Sequence, residues 1–263
     1  MDKWLEIIDK VSWLQKQNKI LWFRGHRNID FKLRSTLSRI DSNKRVIKNK
    51  ERDMYNYFIN YGYKYIEKFI GFKEWNILFL MQHYGLPTRL LDWTNSFIKA
   101  LYFANKGRNE GEDACIWVLN PIELNRECNN RGFYVEDDCS YNKINLLTID
   151  KLPERIKNYI NYFEDNIARV HSFALVPNMS NERLVAQNGF FTVQGTELLD
   201  LEEEYCDCID KFLFKINLPY ATYEQSINFI KVNGINCYTI YGGVDGLCEY
   251  IKDELMGIKM NNL

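Results

Sequence analysis

The 263-residue chain has no long apolar run and no extended block of charge of one sign. Its first residues, MDKWLEIIDKVSWLQKQ, are interrupted by charged side chains and contain no small-residue cleavage site, unlike a secretory signal peptide. Nowhere does an apolar stretch reach the length of a membrane span. These absences predict a cytoplasmic protein that has no membrane partner.

Patterns for metal binding and for disulfides are also missing. The seven cysteines are odd in number and scattered, so reduced thiols are their simplest state without a secretion signal. Cys206 and Cys208 form a close pair, but neither a second CxxC nor a histidine pair accompanies it. The sequence therefore predicts no metal. A nuclease or hydrolase is also disfavoured, since no metal-ligand cluster or Ser-His-Asp spacing is visible.

The formal net charge of −1 argues against a protein that binds nucleic acid mainly by its overall charge. A local basic patch stays open as an alternative. Such a run is more often a solvated loop than a binding face. The candidate side chains for a basic rim are Arg27, Lys32, Arg34, Arg39, Lys44 and Arg45.

Periodicity of the apolar residues predicts one α+β domain over residues 1–263, with helical elaborations. Residues 171–176 fit either a strand or an extended loop, and residues 120–165 look like an insert. The predicted helices are 2–17, 48–69, 75–83, 95–105, 154–163, 223–232 and 246–252. The predicted strands are 20–23, 90–91, 114–119, 190–193 and 212–216.

Residues 82–104 are unusually dense in ionisable and polar side chains for a segment that runs into an apolar helix. His83, Arg89, Asp92 and Thr94 lie within twelve residues around a Gly-Leu-Pro turn. Ionisable groups are costly to bury, so crowding them beside one turn is typical of a ligand site. The structural alternatives are a hydrogen-bonded histidine, an Arg89–Asp92 ion pair that holds the loop, and helix capping by Thr94.

Two further segments carry possible binding groups. Arg24 follows a buried strand, and its planar guanidinium matches a phosphate, while Gly25 lacks the Cβ that would block a ligand. Gln187 precedes the strand-like residues 190–193, where its amide can reach a sugar hydroxyl. A surface arginine at a turn and a glutamine at a strand edge are the respective alternatives.

Four motifs in this order strongly resemble the FRG domain family. They are residues 23–26 (FRGH), 82–94 (QHYGLPTRLLDWT), 100–104 (ALYFA) and 186–191 (AQNGFF). Residues 234–235 and 245–247 are similar to the C-terminal end of that family. The resemblance covers about residues 18–252 and leaves 120–165 without a recognised motif.

A more distant resemblance is to ADP-ribosyltransferases, and it implies a split β-sheet core. In that superfamily an early strand ends in an Arg-Gly or His-Gly element that grips NAD, and a second ends in Ser or Thr before a helix. Arg24-Gly25 is similar to the first element, and residues 91–94 are similar to the second. Gln187 falls where the catalytic glutamate is expected. A glutamine supplies no negative charge, so Asp92, Glu182 and Glu197 are alternative sources of it.

This resemblance implies an NAD-dependent ADP-ribosyltransferase that acts as an intracellular toxin or antiphage effector, with NAD as its substrate. A protein or an RNA is the implied acceptor, and an antitoxin protein is a candidate partner. The alternative is a non-catalytic domain that senses a nucleotide or binds a protein. The implied catalytic residues are His83, Asp92 and Gln187, and the implied NAD-binding residues are Arg24, Gly25, Thr88, Arg89 and Thr94.

Overall fold

The computed structural model describes residues 2–66, 74–133, 146–163, 167–177 and 189–256. The predicted α+β class is confirmed, because the strands form one mixed sheet in the order β4-β5-β6-β2-β1-β3-β7. All neighbouring strands are antiparallel except β4 and β5. The strands are β1 Trp22–His26, β2 Leu90–Thr94, β3 Ala114–Leu119, β4 Leu147–Thr148, β5 Phe173–Val176, β6 Gly189–Val193 and β7 Leu213–Leu218.

Helices cover both faces of the sheet, and none in the described part of the chain is long and apolar enough to cross a membrane. The α-helices are α1 Lys3–Gln17, α2 Lys44–Ile66, α3 Glu74–His83, α4 Phe97–Asn105, α5 Pro121–Asn130, α6 Glu154–Lys157, α7 Leu201–Glu204, α8 Tyr223–Val232, α9 Cys237–Tyr241 and α10 Gly243–Met256. Short 3-10 turns lie at Leu37–Arg39, Ile149–Lys151, Tyr159–Phe163, Ile209–Lys211 and Tyr220–Thr222.

Two apolar cores form because successive side chains of a strand point to opposite faces of the sheet. On β1, Trp22 belongs to the core that α2, α3 and α5 cover, whereas Phe23 belongs to the core that α1, α4 and α8 cover. Both side chains are almost fully buried. The central strand is therefore held from both sides.

Residues 120–165 pack against the sheet where the structure describes them. Helix α5 packs on β5 through Asn125, whose Oδ1 accepts from Ala174 N at 2.7 Å and whose Nδ2 donates to Ala174 O at 3.0 Å. Leu124 and Cys128 on the same helix are fully buried. Two asparagines, Asn125 and Asn129, thus share the buried face of this helix with Leu124 and Cys128.

The sheet is incompletely paired between β1 and β2. These strands pair only at Phe23 and Thr94, whereas β1 pairs with β3 along its whole length. Beyond this point β1 continues through residues 24–26, further than the predicted strand 20–23, because its pairing with β3 extends past the apolar residues. The sheet is therefore open between residues 24–26 and the first part of β2.

Helix α4 approaches β1 so closely that only glycine fits at position 25. A Cβ on Gly25 would lie 2.0 Å from Ala100 O and 2.5 Å from Ala104 N, both of which are backbone atoms. The sequence assigned Gly25 to ligand approach, and the structure corrects this reason. The missing Cβ admits the helix, because residue 25 presents it to α4.

The change Gly25→Ala is expected to lower the free energy of unfolding by about 3 kcal/mol or more, since the backbone of α4 cannot yield as a side chain would. Urea denaturation measures this. Gly62→Ala is the matched control, because the nearest atoms to a Cβ there are 3.9 Å away on the Ile66 side chain. This control lies within α2, where alanine is favoured over glycine by about 0.5–1 kcal/mol. Equal stability losses in the two variants would contradict the packing argument.

Candidate functional site

A cavity of about 400 Å³ occupies the opening between β1 and β2. Its size is within the range of small-molecule sites. The wall combines side chains of β1, β2, α3, α4 and β6 with the loop after β1. The lining residues are Phe23, Arg24, Gly25, His26, Arg27, Phe31, Phe79, Gln82, His83, Asp92, Trp93, Thr94, Phe103 and Phe191.

Arg24 bridges the opening. Its NH1 donates to Asp92 O at 2.7 Å and lies 3.9 Å from Asp92 Oδ2, so the side chain joins β1 to β2 where the backbones no longer pair. Burial lowers the pKa of Arg24, whereas the Asp92 charge opposes that shift and Arg39 adds to it. An arginine nevertheless remains charged. The cavity therefore contains a fixed cation.

His26 holds Arg24 in place and is neutral. Arg24 Nε can only donate, so His26 Nε2 accepts from it at 3.0 Å, and the ring proton lies on Nδ1, 3.2 Å from Phe31 O. Burial, reinforced by the Arg24 charge, lowers the pKa of His26 to about 3. The imidazole thus remains an acceptor at neutral pH and adds no second positive charge to the cavity.

Asp92 is oriented by the α3 side of the cavity. Gln82 Nε2 donates to Asp92 Oδ2 at 2.8 Å, and Gln82 Oε1 accepts from Thr88 Oγ1 at 2.5 Å. Helix α3 ends at His83, and the chain turns at Gly85, whose φ of +80° suits a glycine, before it returns to Thr88. The Asp92 side chain is about half exposed, so a ligand can reach its carboxylate.

Aromatic rings form the apolar part of the wall. Phe79 of α3 and Phe191 of β6 stack with ring centroids 5.0 Å apart and planes 12° apart. Trp93 is fixed beside them by a 3.0 Å hydrogen bond from its Nε1 to Thr192 Oγ1. A cavity with a cation, a carboxylate and stacked rings suits a ligand that carries both an anionic group and a planar ring.

Five of the predicted site residues line this one cavity, namely Arg24, Gly25, His83, Asp92 and Thr94. Thr94 is buried, and its Oγ1 accepts from Ser96 N at 3.2 Å just before α4 begins. His83 lies at the end of α3, with its ring next to that of Tyr84. These residues lie far apart in sequence in two groups, and the antiparallel arrangement of β1 and β2 brings the groups together.

The placement of Arg89 in the ligand site is wrong. Its side chain is completely buried and pairs with Glu51 of α2, not with Asp92. Arg89 Nε donates to Glu51 Oε1 at 2.7 Å, and NH1 donates to Gln194 O at 3.0 Å. Tyr159 also donates to the Glu51 carboxylate. Arg89 therefore does not line the cavity, and its guanidinium is bound instead by Glu51 of α2.

Thr88 does not line the cavity either. It is buried, and besides Gln82 it binds the loop before α2, with Thr36 Oγ1 accepting from Thr88 N at 3.2 Å and Leu37 N donating to Thr88 O at 3.1 Å. Its hydroxyl therefore acts on the site through Gln82. The sequence alone cannot show this, because loop residues 36–37 are about fifty positions away.

The structure places the candidates for the catalytic group differently. Gln187 and Glu182 lie outside the described residues, so their predicted roles stay predictions. Glu197 pairs with Lys44 at 2.8 Å and does not line the cavity. Asp92 is therefore the one carboxylate that lines the cavity within the described part of the chain.

Several side chains of the predicted basic rim are already bound to other groups of the protein. Arg34 forms a bidentate pair with Asp200, at 2.6 Å and 2.9 Å, and Lys44 is paired with Glu197. Arg39 donates to the backbone oxygens of Ser35 and Arg34. Arg27 does line the cavity. Its side chain is exposed and donates to Gly107 O at 3.4 Å.

His26 and Gln82 were not among the predicted site residues. A signal for each was present, because residues two apart on a strand share a face and His26 follows Arg24 by two. Gln82 adjoins His83 at the end of an apolar helix. A polar residue at a turn is usually only solvated, so neither signal is enough to predict a site residue. The hydrogen bonds to Arg24 and Asp92 show that His26 and Gln82 position these two side chains.

The change His26→Gln is expected to reduce the loss of stability at acid pH. An ordinary histidine in the unfolded chain titrates near 6.5, so between about pH 6.5 and about pH 3 the unfolded chain binds the extra proton. The stability that neutral His26 contributes is complete above this window and decreases as pH falls through it. By about pH 5 it should have decreased by about 2 kcal/mol.

Urea denaturation at about pH 7 and about pH 5 tests this linkage for the wild type and for His26→Gln. The glutamine amide can accept from Arg24 but does not titrate. The wild type should lose more stability than the variant between the two pH values. An identical loss in both proteins would show that His26 titrates normally.

The change Glu51→Gln is expected to lower the free energy of unfolding by about 3 kcal/mol, because it leaves the buried charge of Arg89 uncompensated. Glu123→Gln is the control. It breaks an exposed pair with Arg126 on α5 and should cost less than about 1 kcal/mol. Urea denaturation at neutral pH measures both. Similar small losses would mean that the Glu51–Arg89 pair does not hold the core.

Comparison with known proteins locates the resemblance within this fold. Residues 19–113 match the family model described as FRG domain. A Rickettsia prowazekii (strain Madrid E) protein named "Putative methyltransferase RP459" is 29% identical over 141 residues, which is 52% of this chain and 52% of that protein. The chain thus spans about half the length of this curated relative. No solved structure matches. Residues 19–113, which contain β1, α3, β2 and α4 and most of the cavity wall, are therefore recognised as an FRG domain sequence.

Proposed function

We propose that the cavity binds NAD and that the protein transfers ADP-ribose from it to a protein or RNA acceptor. The observation that carries this proposal is the open sheet between β1 and β2, bridged by Arg24 and lined by both charged and aromatic side chains.

The pyrophosphate of NAD would lie at Arg24. A guanidinium offers parallel donors that match phosphate oxygens, and the NH2 group of Arg24 is not engaged with Asp92 or His26. Arg27 adds positive charge to the same wall. Neutral His26 keeps Arg24 oriented, so little side-chain freedom is lost when a phosphate binds.

A planar nicotinamide or adenine ring would pack against the aromatic wall, where Phe79 and Phe191 are fixed by their own stacking. His83 and Thr94, which line the same cavity, would orient the ribose and the amide of nicotinamide. An open sheet with Arg24 on one strand and Thr94 before α4 on the next is the arrangement that the resemblance to ADP-ribosyltransferases implies. A split-sheet core of that type is therefore part of this proposal.

The chemical step is displacement at the C1′ carbon of the nicotinamide ribose. The C1′–N bond breaks, its electron pair leaves with neutral nicotinamide, and an acceptor nucleophile forms the new bond to C1′ and loses its proton. Positive charge develops on the ribose as the bond breaks, and a carboxylate near C1′ stabilises that charge. Asp92 is the proposed carboxylate, and Gln187 is proposed to bind the ribose hydroxyl.

An intracellular toxin or antiphage effector is the proposed biological role, with an antitoxin protein as a proposed restraint and the cytoplasm as the proposed location. The second candidate function is a domain that binds a nucleotide without reaction. Asp92 favours this function, because its carboxylate is half exposed and its side-chain partner is the neutral amide of Gln82. The relative's printed name suggests a methyl transfer, for which S-adenosylmethionine can be tested in parallel.

The change Arg24→Ala is expected to weaken NAD binding about tenfold or more, because a charged hydrogen bond to phosphate is lost. Asp92→Asn should leave NAD binding within about threefold and slow nicotinamide release about 100-fold, since the charge matters most as the C1′–N bond breaks. Calorimetry with NAD and detection of free nicotinamide in the presence of cell lysate measure the two effects.

Arg126→Ala and Asp210→Asn are the controls, because both residues are exposed and lie outside the cavity. NAD binding without nicotinamide release in any lysate would favour the non-catalytic function. Binding of S-adenosylmethionine, but not NAD, with the same dependence on Arg24 would replace the proposed donor.

A further inference from the structure

We propose that α10 is the interface of a homodimer, in which it packs antiparallel against the same helix of a second copy. This surface takes no part in the cavity, and the inference does not rest on the proposed transfer reaction. It combines three observations: an exposed apolar stripe on α10, the heptad spacing of that stripe, and charges whose positions suit one direction of pairing.

The apolar stripe runs along the solvent side of α10. Val244 is 73% exposed, Ile251 is 44% exposed and Leu255 is 81% exposed. Cys248 lies between them and is also exposed. Spacings of four, three and four residues place these side chains on one face of a helix that turns about 100° per residue. A continuous apolar stripe of this kind is typical of an interaction surface, whereas single exposed apolar residues are not.

The opposite face of α10 is already bound to the protein. A Cβ on Gly246 would lie 3.2 Å from Cys237 O, so α9 lies directly against this face. Tyr250 packs on the core that α1, α4 and α8 cover, and Asp253 Oδ2 accepts from Cys237 Sγ at 3.2 Å. The apolar stripe is therefore the outer face of a fixed helix and cannot turn inward.

The stripe has the spacing of a coiled-coil seam over about two heptads. Val244 and Ile251 occupy d positions, and Cys248 and Leu255 occupy a positions. The f positions, which are farthest from a coiled-coil partner, then fall on the face that contacts α9. The heptad pattern and the packing of α10 on the protein thus agree on which face remains for a partner.

Charges beside this seam favour an antiparallel pair. In that arrangement the e positions of the two helices face each other, and so do the g positions. Asp245 and Lys252 occupy e positions, so Asp245 of each copy meets Lys252 of the other. Leu247 and Glu254 occupy g positions, where no like charges meet. A parallel pair would instead place Lys252 opposite Leu247 and leave Asp245 without a basic partner.

The other charges of α10 do not oppose this pairing at the seam. Lys252 forms an i,i+3 pair with Glu249 of its own helix at 2.7 Å, but its side chain is 54% exposed and can contact a second carboxylate. Glu249 and Asp253 occupy b and f positions, which point away from a partner. Their repulsion across the dimer acts only at longer range, where salt screens it.

A second copy fits this face better than a lipid surface does. Asp245, Glu249 and Glu254 make the polar sides of α10 acidic, which opposes binding to anionic lipid headgroups. The face is complementary to itself, because its acidic and basic e positions lie seven residues apart on one helix. Since α10 is already folded on its core face, pairing requires no helix formation, and even a short seam supports a weak dimer.

Sedimentation velocity of the full chain without NAD, from about 1 μM to about 100 μM, tests the proposal. A weak interface of this size should show a reversible monomer–dimer equilibrium within that range. Ile251→Asp should weaken association about tenfold or more, because it buries a charge in the middle of the seam.

Ile160→Asp is the matched control. Ile160 has nearly the same exposure as Ile251, 42% against 44%, but lies in the 3-10 turn Tyr159–Phe163 on the opposite face of the sheet. This variant should associate like the wild type. Circular dichroism and urea denaturation check that both variants are folded.

A charge exchange tests the direction of pairing. Asp245→Lys should weaken association about tenfold at low salt, because two ion pairs become two repulsions. Asp245→Lys/Lys252→Glu exchanges the signs and should return association to within about twofold of wild type. A parallel pair would not show this recovery, since it does not bring the two e positions together.

Cys248 reports the register. Two helices about 9 Å apart in the antiparallel register bring the Cys248 Cα atoms of the two copies to about 7 Å from each other. A short bismaleimide should therefore link the copies covalently. Cys248→Ser should abolish the covalent dimer, although Cys206 remains exposed in that variant.

The proposal would be overturned by a monomer over the whole concentration range, by a dimer that Ile251→Asp leaves intact, or by a charge exchange that does not restore association. A covalent dimer that persists in Cys248→Ser would equally place the contact elsewhere. Because NAD is not present, failure here leaves the proposed transfer reaction untouched, and failure of the transfer reaction leaves this interface untouched.

Discussion

The separation of β1 from β2 beyond Phe23 and Thr94 is the constraint on which the site depends. Unpaired strands within a sheet leave backbone groups that need partners. Arg24 supplies one across the gap by donating to Asp92 O, while neutral His26 accepts from its Nε and orients the guanidinium. A single side chain thus closes the sheet at one point and lines a cavity beside it.

Packing behind the strands keeps this opening in place. The close approach of α4 to Gly25 fixes β1 from one face of the sheet. On the other face, the buried pair of Glu51 and Arg89 fixes the start of β2 to α2. Because a buried charge is costly without its partner, α2 and β2 cannot separate without a large loss of stability.

Prediction from the sequence succeeded for amphipathic helices and failed for some side chains, because the partners of those side chains are distant in sequence. Amphipathic helices such as α1 and α8 were predicted almost to the residue, since their apolar spacing reflects local geometry. Arg89 was misplaced because its partner is 38 positions away on α2. The sequence did not show that α5 packs on β5, because the contact includes hydrogen bonds from Asn125 to Ala174, which is 49 positions away.

The sequence by itself determined the α+β class, the position of amphipathic helices such as α1 and α8, and the segment from which most of the cavity wall comes. These follow from periodicity and from the crowding of polar groups beside one turn. Only the tertiary structure decided that Arg24 meets Asp92, that Arg89 and Thr88 support the site from outside, and that Gly25 serves a helix. The physical reason is that strand pairing and helix packing join residues distant in sequence, and neither leaves a local pattern in the chain.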